Sequence, residues 1–490
     1  MNRSVLDFDS CYRAVSARDA RFDGRFFTGV TSTGIYCRPI CPARTPARRN
    51  VRFFTAAAAA EGAGFRPCKR CRPEASPGSP DWDFRGDLVG RALRLIDDGV
   101  VDDHGVRGLA RRLAVTDRHL HRMFVAELGA PPLTVARNRR LRLARRLLTE
   151  TLMPVTDVAF ASGFGSVRQF NASMRETYGQ APSELRGVGR GLGRPATLEL
   201  RLAVRRPYDS ASLLAFLAAR AIPGVEKVTA DRYVRTVAAA PGGTSDTGGE
   251  ASTIELIPRE DHVLLRAGGP SPRGVASLVN RCRRLFDLDA DPCAVDDALG
   301  ADPLLAPLVA ARPGLRVPGA FDGFELAVRA VLGQQVSVAG ASTLAGRVVA
   351  RCGTPRTGLA ASAEAEPAHL FPTAARLADA DLSGLGLTGG RQRTLRALAA
   401  AVAAEELDLD GGADPAEIAD RLMALPGIGP WTAGYIAMRA LGDPDAFPAA
   451  DLGLRRAFDA LGHAETSLEQ RAERWRPWRA YAAMHLWTSH

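Results

Sequence analysis

Two close cysteine pairs, Cys37-Arg-Pro-Ile-Cys41 and Cys68-Lys-Arg-Cys71, flank a long basic stretch near the start of the chain. Four thiolates in two pairs are the donor set of one tetrahedral Zn²⁺. Cys11, Cys282, Cys293 and Cys352 are scattered and suggest no framework. Four thiolates and one Zn²⁺ carry two net negative charges. Coordination keeps Cys37 deprotonated at neutral pH, and the thiolate is the nucleophilic form of cysteine. Arg38, Arg44, Arg48, Arg49, Arg52, Arg66, Lys69, Arg70 and Arg72 surround the cysteines with charge that can dock a phosphate backbone beside the sulfur. On spacing alone, a purely structural zinc knuckle also accounts for the pattern.

A chain of 490 residues has room for several domains. At 46% hydrophobic content, each can bury a core. The start Met1-Asn-Arg-Ser-Val-Leu-Asp-Phe-Asp reads as too polar for a secretory signal, so none is expected. No apolar run is long enough for a membrane span, and the Ala56–Ala60 run ends at Glu61. A reducing, cytoplasmic location is expected, which favours metal ligation over disulfides. The net charge of +10 fits a polyanionic partner, although many soluble proteins are mildly basic.

Arg72–Pro80 is rich in Pro and Ser, and Gly187–Pro195 is rich in Gly, so both read as linkers. Ala240–Gly249 lies between alternating apolar segments and reads as a long loop between strands. Ala360–Pro367 reads as a surface loop. Between the two linkers the pattern is helical and nearly repeats. Leu109-Ala110, Leu120 and Phe124 are echoed by Val158-Ala159, Phe170 and Met174, with Ala114 and Gly163 at the turns. From Ala196 to about Leu265, segments such as Thr197–Val204 alternate as strands around one helix, Ser210–Arg220. From about Val275 to the end, apolar residues recur at helical spacing.

Thr33-Gly-Ile-Tyr-Cys-Arg-Pro-Ile-Cys-Pro-Ala-Arg, Gly64-Phe-Arg-Pro-Cys-Lys-Arg-Cys and Asp23-Gly-Arg-Phe-Phe together resemble the N-terminal domain of the Ada family of alkylated-DNA sensors. The resemblance implies that Cys37 irreversibly accepts a methyl group from a methylphosphotriester, with Cys41, Cys68 and Cys71 as the remaining zinc ligands. Methylation would make one thiolate a neutral thioether. The site's charge would rise from −2 to −1, which weakens repulsion from DNA phosphates.

The helical repeat is read as two helix-turn-helix units. Val106–Leu113 would support and Thr116–Val125 recognise, capped by Thr116 or Asp117, with Arg118, His121 and Arg122 outward. In the second unit Val155–Ala161 would support and Ser166–Arg175 recognise, with Arg168, Gln169 and Asn171 toward bases. Gly163-Phe-Gly-Ser and Tyr178-Gly-Gln-Ala-Pro-Ser-Glu-Leu-Arg resemble the AraC-type DNA-binding domain. In that family a linker helix lets the two units enter successive major grooves. Arg137–Leu148 would be that helix, its Arg139, Arg140, Arg142, Arg145 and Arg146 dense positive charge.

Leu425-Pro-Gly-Ile-Gly-Pro-Trp-Thr-Ala-Gly-Tyr435 is a tight Gly-rich turn opening onto a helix. The free N–H groups around Gly427 and Gly429 can hold a phosphate without reading sequence. Phe447-Pro-Ala-Ala-Asp451-Leu then places one acid after a Pro-containing turn. With Ala215–Ala221, Arg284–Leu288, Ala311–Gly319, Val331–Gln334 and Arg474–Tyr481, these resemble the helix-hairpin-helix DNA glycosylases of the AlkA type. The resemblance puts Asp451 at the catalytic position and Phe216, Trp431, Tyr435 and Trp487 around the flipped base. A cationic N-alkylated purine leaves without a general acid, so a carboxylate beside C1′ suffices. The base must leave the stack to reach it, and aromatic faces attract a cation. Trp431 stands where relatives with lyase activity carry a Schiff-base lysine, so a monofunctional enzyme is expected. The chain departs from the pattern at three places. Ala450 replaces a common second acid, polar Gln335 stands at the DNA-inserting wedge, and Leu452 stands where an aromatic is frequent. Trp475 and Trp478 read as core. The family's hairpin also takes a monovalent cation through backbone carbonyls.

The expected fold is multidomain α+β. A zinc and methyl-acceptor domain spans 1–76 and an all-α double helix-turn-helix domain spans 84–187. A mixed α/β subdomain follows over 196–285, then an all-α helix-hairpin-helix glycosylase domain over 286–490. The expected function is repair of alkylated DNA by excision of 3-methyladenine-type bases, fused to a zinc-dependent transcriptional regulator that senses methylphosphotriesters. The partners are alkylated double-stranded DNA and promoter sites, with RNA polymerase beside the regulator and no membrane. No Pro-Cys-His-Arg motif is present, so removal of methyl from O6 of guanine is not expected. The rival reading is a transcription activator whose glycosylase module is inactive.

Overall fold

The computed structural model describes residues 8–17, 26–41, 43–54, 59–60, 63–68, 70–71, 73, 80–128, 130–186, 197–238, 251–268, 274–356, 367–410, 414–462 and 467–489. Helix α1 (Phe8–Ala17) precedes strands β1 (Phe27–Val30), β2 (Ile35–Cys37), β3 (Val51–Phe54) and β4 (Arg66–Pro67). Helices follow: α2 (Pro80–Asp97), α3 (Val100–Arg112), α4 (Asp117–Leu128), α5 (Pro132–Glu150), α6 (Val155–Ala161), α7 (Val167–Tyr178) and α8 (Pro182–Arg186). Next come β5 (Thr197–Ala203), α9 (Ser210–Ala219), β6 (Glu226–Val228), β7 (Tyr233–Ala238), β8 (Ala251–Pro258) and β9 (His262–Gly268). The rest is helical apart from one short ladder. It runs α10 (Val275–Leu285), α11 (Pro292–Leu299), α12 (Ala306–Ala311), α13 (Gly323–Leu332), α14 (Val338–Cys352), β10 (Thr354–Pro355) and β11 (His369–Leu370). It ends with α15 (Ala374–Ala378), α16 (Gly389–Ala403), α17 (Pro415–Met423), α18 (Pro430–Arg439), α19 (Leu452–Ala460), α20 (Leu468–Ala472) and α21 (Arg479–Trp487).

The chain divides into two compact units, Met1–Ala92 with Ala114–Thr134, and Leu93–Leu113 with Val135–His490. The helix-turn-helix region therefore contributes to both. In the first unit a sheet of order β3-β1-β2-β4 pairs β2 and β4 in parallel, Tyr36 opposite Pro67. Phe27, Tyr36 and Phe65 are buried between its elements, with Phe54 against them. A Cβ on Gly29 would lie 2.7 Å from the Phe54 ring, so only glycine lets that ring close over β1. Cys11, Ala14 and Val15 of α1 pack with Phe26 and Phe53. Thr116 caps helix α4, its Oγ1 accepting from His119 N at 3.2 Å.

In the second unit α3 is two helical pieces joined at Gly105, whose φ 66° and ψ −176° are not helical, and the expected supporting helix from Val106 is the second piece. Linker helix α5 is longer than expected at both ends, starting at Pro132, a residue whose fixed φ suits a helix start. Helix α6 has the expected bounds. Gly163, at φ 93°, makes the turn, and Ser166 caps α7 by accepting from Gln169 N. Helix α7 runs past Arg175 to Tyr178, where Gly179 in the left-handed conformation stops it.

The second sheet has order β5-β9-β8-β7-β6 and is antiparallel throughout. Its alternation turns Leu198, Leu200 and Leu202 of β5 inward. Residues 239–250 and 357–366, which hold most of the two expected loops, lie outside the described residues. The β10–β11 ladder interrupts the helical reading, because two residues are too few to show a period. Helix α13 is apolar nearly all round, with Phe324, Leu326, Ala327, Val328 and Val331 buried. Asp322 caps it, and the later helices are built around it.

Candidate active site and metal centre

Strand pairing assembles the cysteines. Cys37 ends β2 and Cys68 follows β4, and Cys68 N donates to Tyr36 O at 3.0 Å. A turn closed by Cys41 N on Arg38 O, 3.1 Å, brings in Cys41. Arg38 N donates to Cys71 Sγ at 3.3 Å. The four sulfurs all lie within 4.8 Å of one another, and Cys41 and Cys68 Sγ are 3.8 Å apart. A tetrahedron with Zn–S bonds of about 2.3 Å has an edge of about 3.8 Å. Contact with Cys41 pushes the Cys37 thiol well up, while contact with Cys37 holds Cys41 down to about 3 and pushes Cys71 well up. Four thiols this close lose their protons together only if a cation offsets the charge, so the donor set fits Zn²⁺. Cys68 and Cys71 are buried, whereas Cys37 and Cys41 are partly exposed.

The basic surround is smaller than the sequence suggests. Arg44, Arg49, Arg52, Arg66 and Arg70 are exposed. Arg38 is buried, and Arg48 pairs with Asp9 and lies over the Phe8 and Tyr12 rings. Lys69 and Arg72 lie outside the described residues.

On α4, Arg118, His121 and Arg122 are exposed, and Arg122 Nη2 lies 3.2 Å from His119 Nδ1. On α7, Arg168 and Gln169 are exposed and Asn171 is half-buried. Helix α5 is less available than its composition implied. Arg139 and Arg140 are buried on the two oxygens of Asp102, at 2.8 and 2.6 Å. Arg146 pairs with Glu150 and donates to Arg201 O. Arg142 and Arg145 remain exposed. The i,i+1 pair Arg139-Arg140 looks like surface charge in sequence because its acid lies 37 residues away.

The second unit holds a cavity of about 1070 Å³. The hairpin at Gly427 and helix α18 form one wall. Gly427 takes φ 79°, and a Cβ there would lie 2.2 Å from Thr394 Oγ1. Gly429 sits at the N-cap of α18 and does not line the cavity, whereas Gly427 does. Trp431, Tyr435 and Arg439 repeat every four residues along one face of α18. Trp431 and Tyr435 stack with centroids 5.6 Å apart, and Trp487 of α21 meets Tyr435 edge-on at 6.2 Å.

Asp451 caps α19, its Oδ1 accepting from Leu454 N at 3.0 Å. The same oxygen accepts from Trp487 Nε1 at 2.9 Å, and Oδ2 accepts from Trp431 Nε1 at 2.9 Å. The carboxylate is thereby fixed at the cavity wall. Ala450 and Leu452 flank it there, and Leu452 is 68% exposed. Gln335 lines the cavity at φ 56°. Its neighbour Gln334 ties that turn to the hairpin, donating to Gly427 O at 2.9 Å and Thr432 Oγ1 at 3.0 Å.

Phe216 is not a cavity-lining residue. Arg220 and Arg439 lie over its ring at 3.7 and 4.8 Å, and cation–π attraction holds them there. Sequence reasoning missed Arg439, although its place four residues after Tyr435 was a usable signal. Its Nη1 donates to Tyr435 Oη at 2.6 Å, and Nη2 donates to Gly319 O at 3.1 Å. Burial raises the Tyr435 hydroxyl, but the Arg439 and Arg220 guanidiniums outweigh it and bring it below the usual range. Deeper in the wall Glu325 bonds Arg235 at 2.7 Å and pairs with Arg329, while Arg329 bonds Glu226 at 2.6 Å. Trp475 is core, its Nε1 on Asp302 Oδ2 at 3.1 Å, and Trp478 is half-buried against the same cluster.

Four family models match the chain: the metal binding domain of Ada over residues 10–74, a helix-turn-helix domain over 109–187, the AlkA N-terminal domain over 199–322, and the HhH-GPD superfamily of base excision DNA repair proteins over 328–480. A Mycobacterium tuberculosis protein described as a probable bifunctional transcriptional activator/DNA repair enzyme AlkA is 49% identical over 490 residues, covering 99% of this chain and 96% of that protein. The chain belongs to this Ada–AlkA fusion family. Its C-terminal part is similar to the Escherichia coli DNA-3-methyladenine glycosylase 2, 38% identical over 286 residues, or 57% of this chain and 94% of that one. Its N-terminal part is similar to the Escherichia coli bifunctional transcriptional activator/DNA repair enzyme Ada, 35% identical over 189 residues, or 39% of this chain and 52% of that one. A family member of this composition is a DNA glycosylase joined to a zinc-binding and a helix-turn-helix DNA-binding module. Among the described residues no helix is long and apolar enough to cross a membrane.

Proposed function

We propose that the chain excises alkylated bases, of the 3-methyladenine type, with Asp451, and that Cys37 reports methylphosphotriesters to its DNA reader. The observation that carries the reading is the Asp451 carboxylate, held by two indole N–H groups at the edge of an aromatic-lined cavity. A flipped base entering the cavity meets the Trp431, Tyr435 and Trp487 rings. The N-glycosidic bond breaks, its electron pair leaves with the base, and positive charge grows at C1′ beside Asp451. Water then adds at C1′ and loses a proton, leaving an abasic site. Trp431 offers no amine for a Schiff base, so the strand stays intact. Gly427, Gly429 and the start of α18 hold a phosphate, and a monovalent cation on the hairpin carbonyls belongs to the same proposal. Gln335 and the exposed Leu452 stand at the rim to contact the opened duplex.

At the metal centre, bound zinc would keep the four cysteines as thiolates. Cys37 Sγ attacks the methyl carbon of the triester, the C–O bond breaks, and the phosphate leaves as a diester anion. A thioether with one charge fewer remains, which strengthens DNA binding. Arg118, His121 and Arg122 on α4 and Arg168, Gln169 and Asn171 on α7 would then read the promoter, with RNA polymerase recruited there.

The test uses DNA treated with a tritium-labelled methylating agent and incubated with zinc-loaded protein. Label in the free-base fraction and on Cys37 is expected. Free base alone would make the cysteine site structural. Label on Cys37 alone would leave a regulator with a silent glycosylase, and label in neither fraction would overturn the whole reading.

A further inference from the structure

Strand β5 is an edge strand, paired with β9 on one side only. An open edge exposes backbone donors and acceptors that must be covered or solvated. Here helix α5 supplies cover at Arg201. Arg146 donates to Arg201 O, and Arg201 N donates to Glu150 Oε2 at 3.3 Å. Arg146 and Glu150 are themselves paired one helical turn apart at 3.3 Å, so the two side chains form one clamp.

A second contact lies on α10. Arg284 holds both oxygens of Asp98 at 2.5 Å, and Asn280 donates to Asp97 O. The carbonyl of Asp97 also accepts from Arg139 of α5, whose other nitrogen is on Asp102. The chain of contacts therefore runs α10, the end of α2, α5 and α3 without a break. The side chain of Asp98 is only 15% exposed, and an acid that buried is costly without its partner.

An apolar layer accompanies the charges. Leu141, Ala144, Leu147 and Leu148 of α5 belong to the same buried cluster as Leu198, Leu200 and Leu202 of β5 and Leu278 and Leu285 of α10. Short linkers alone do not bury leucines across a junction.

We infer that the reader segments 93–113 and 135–186 and the mixed α/β subdomain are docked as one rigid body, through the Asp98–Arg284 pair and the Arg146–Glu150 clamp on β5. The surface on α10 and β5 thus has a partner within the chain, the end of α2 on α10 and the linker helix α5 on β5. Arginines that seem placed for phosphate serve this junction instead. The second helix-turn-helix, bound at its promoter, then carries the excision module in a fixed orientation. None of this depends on the chemistry of Asp451 or Cys37.

The experiment inserts a specific protease site into the Gly-rich sequence 187–195 of the full chain and follows the cleaved halves by gel filtration. Co-elution at low ionic strength is expected, with separation after Asp98→Arg or Arg284→Asp and renewed co-elution in the double variant that reverses the pair. Separation of the cleaved wild-type halves would overturn the inference. Co-elution that survives both single reversals and Arg146→Ala would overturn the contacts assigned to it. Excision by uncleaved Arg284→Asp protein, on lesion duplex lacking a promoter, should match wild type within twofold, which shows that the variant is folded.

Discussion

Trp431 donates its indole N–H to Asp451 Oδ2 at 2.9 Å, across 20 residues of sequence. Trp487 does the same to Oδ1, and Leu454 N completes the set. One carboxylate is thus both the cap of α19 and part of the cavity lining. Capping and catalysis are usually rival explanations for an aspartate that follows a turn. Here the cap fixes the group, and the two indoles aim it.

Asp451→Asn separates the two roles. Asparagine caps a helix as well as aspartate does, but its amide nitrogen must face one indole N–H. The expected cost in stability is about 1 kcal/mol. Base release should fall by about 10²–10³-fold because a fixed charge beside C1′ is lost. Single-turnover release of 3-methyladenine, measured beside thermal unfolding, checks both. Excision within threefold of wild type would remove Asp451 from the mechanism.

Removing zinc should act on one unit only. The parallel β2–β4 pair carries Cys37 and Cys68 and is only two residues long. Without the metal it has little to hold it. Treatment with a strong chelator should release about one zinc per chain and abolish amide protection in β1–β4. Excision should persist, because the cavity is built entirely from the other unit. Cys68→Ser should mimic the chelator.

His485 predicts a pH dependence. It is 1% exposed, and neither ring nitrogen has a hydrogen-bond partner among the described residues. Burial, with Arg312 nearby, lowers it to about 4, while Asp209 opposes the shift. The unfolded chain binds that proton at about 6.5. Stability is therefore full above pH 6.5 and falls as pH drops through 4, by roughly 3 kcal/mol in all. His485→Phe should flatten that part of a denaturation-versus-pH curve. An unchanged slope would assign it to other groups.

Gly163 makes the turn of the second helix-turn-helix at φ 93°, and a Cβ there would lie 2.3 Å from Asp102 Oδ2. That carboxylate cannot retreat, because Arg139 and Arg140 hold it. Gly163→Ala should cost about 2–4 kcal/mol from strain and from the disturbed ion pairs. Gly165→Ala, with nothing within 4 Å, is the control and should be close to neutral. Equal unfolding midpoints for the two variants would contradict the packing.

What could be read from sequence had short range. The Cys-x₃-Cys and Cys-x₂-Cys pairs announce their ion because the ligands sit on tight turns. Trp431 and Tyr435 share a helix face through their spacing, and Gly163 shows itself at a repeated turn. The misreadings were long-range. Phe216 sits at the family's pocket position, but its ring is covered by Arg220 and by Arg439, the latter more than two hundred positions on. Arg139, Arg140 and Arg146 looked like a free basic stripe because their acceptors, Asp102 and Arg201 O, come from other elements. Periodicity finds a face but does not reveal what is set against it.

The Glu325 network was equally hidden, and it yields the last prediction. Glu325 on α13 is 90 residues from Arg235 on β7, and both are buried. Burial opposes the Glu325 charge, yet Arg235 and Arg329 hold its pKa down to about 2. Its folded pKa is depressed, so its stabilisation is present above the unfolded value of about 4.3 and is lost as pH falls toward 2. Glu325→Ala leaves the buried Arg235 and the half-buried Arg329 short of a partner and should cost about 3–5 kcal/mol. Replacing Glu325 and Arg235 together by leucine removes the pair rather than breaking it, and should cost less than either single change. Urea denaturation of the three variants checks the order. A double variant less stable than both singles would show that the pair holds α13 to the sheet by more than satisfying its own charges.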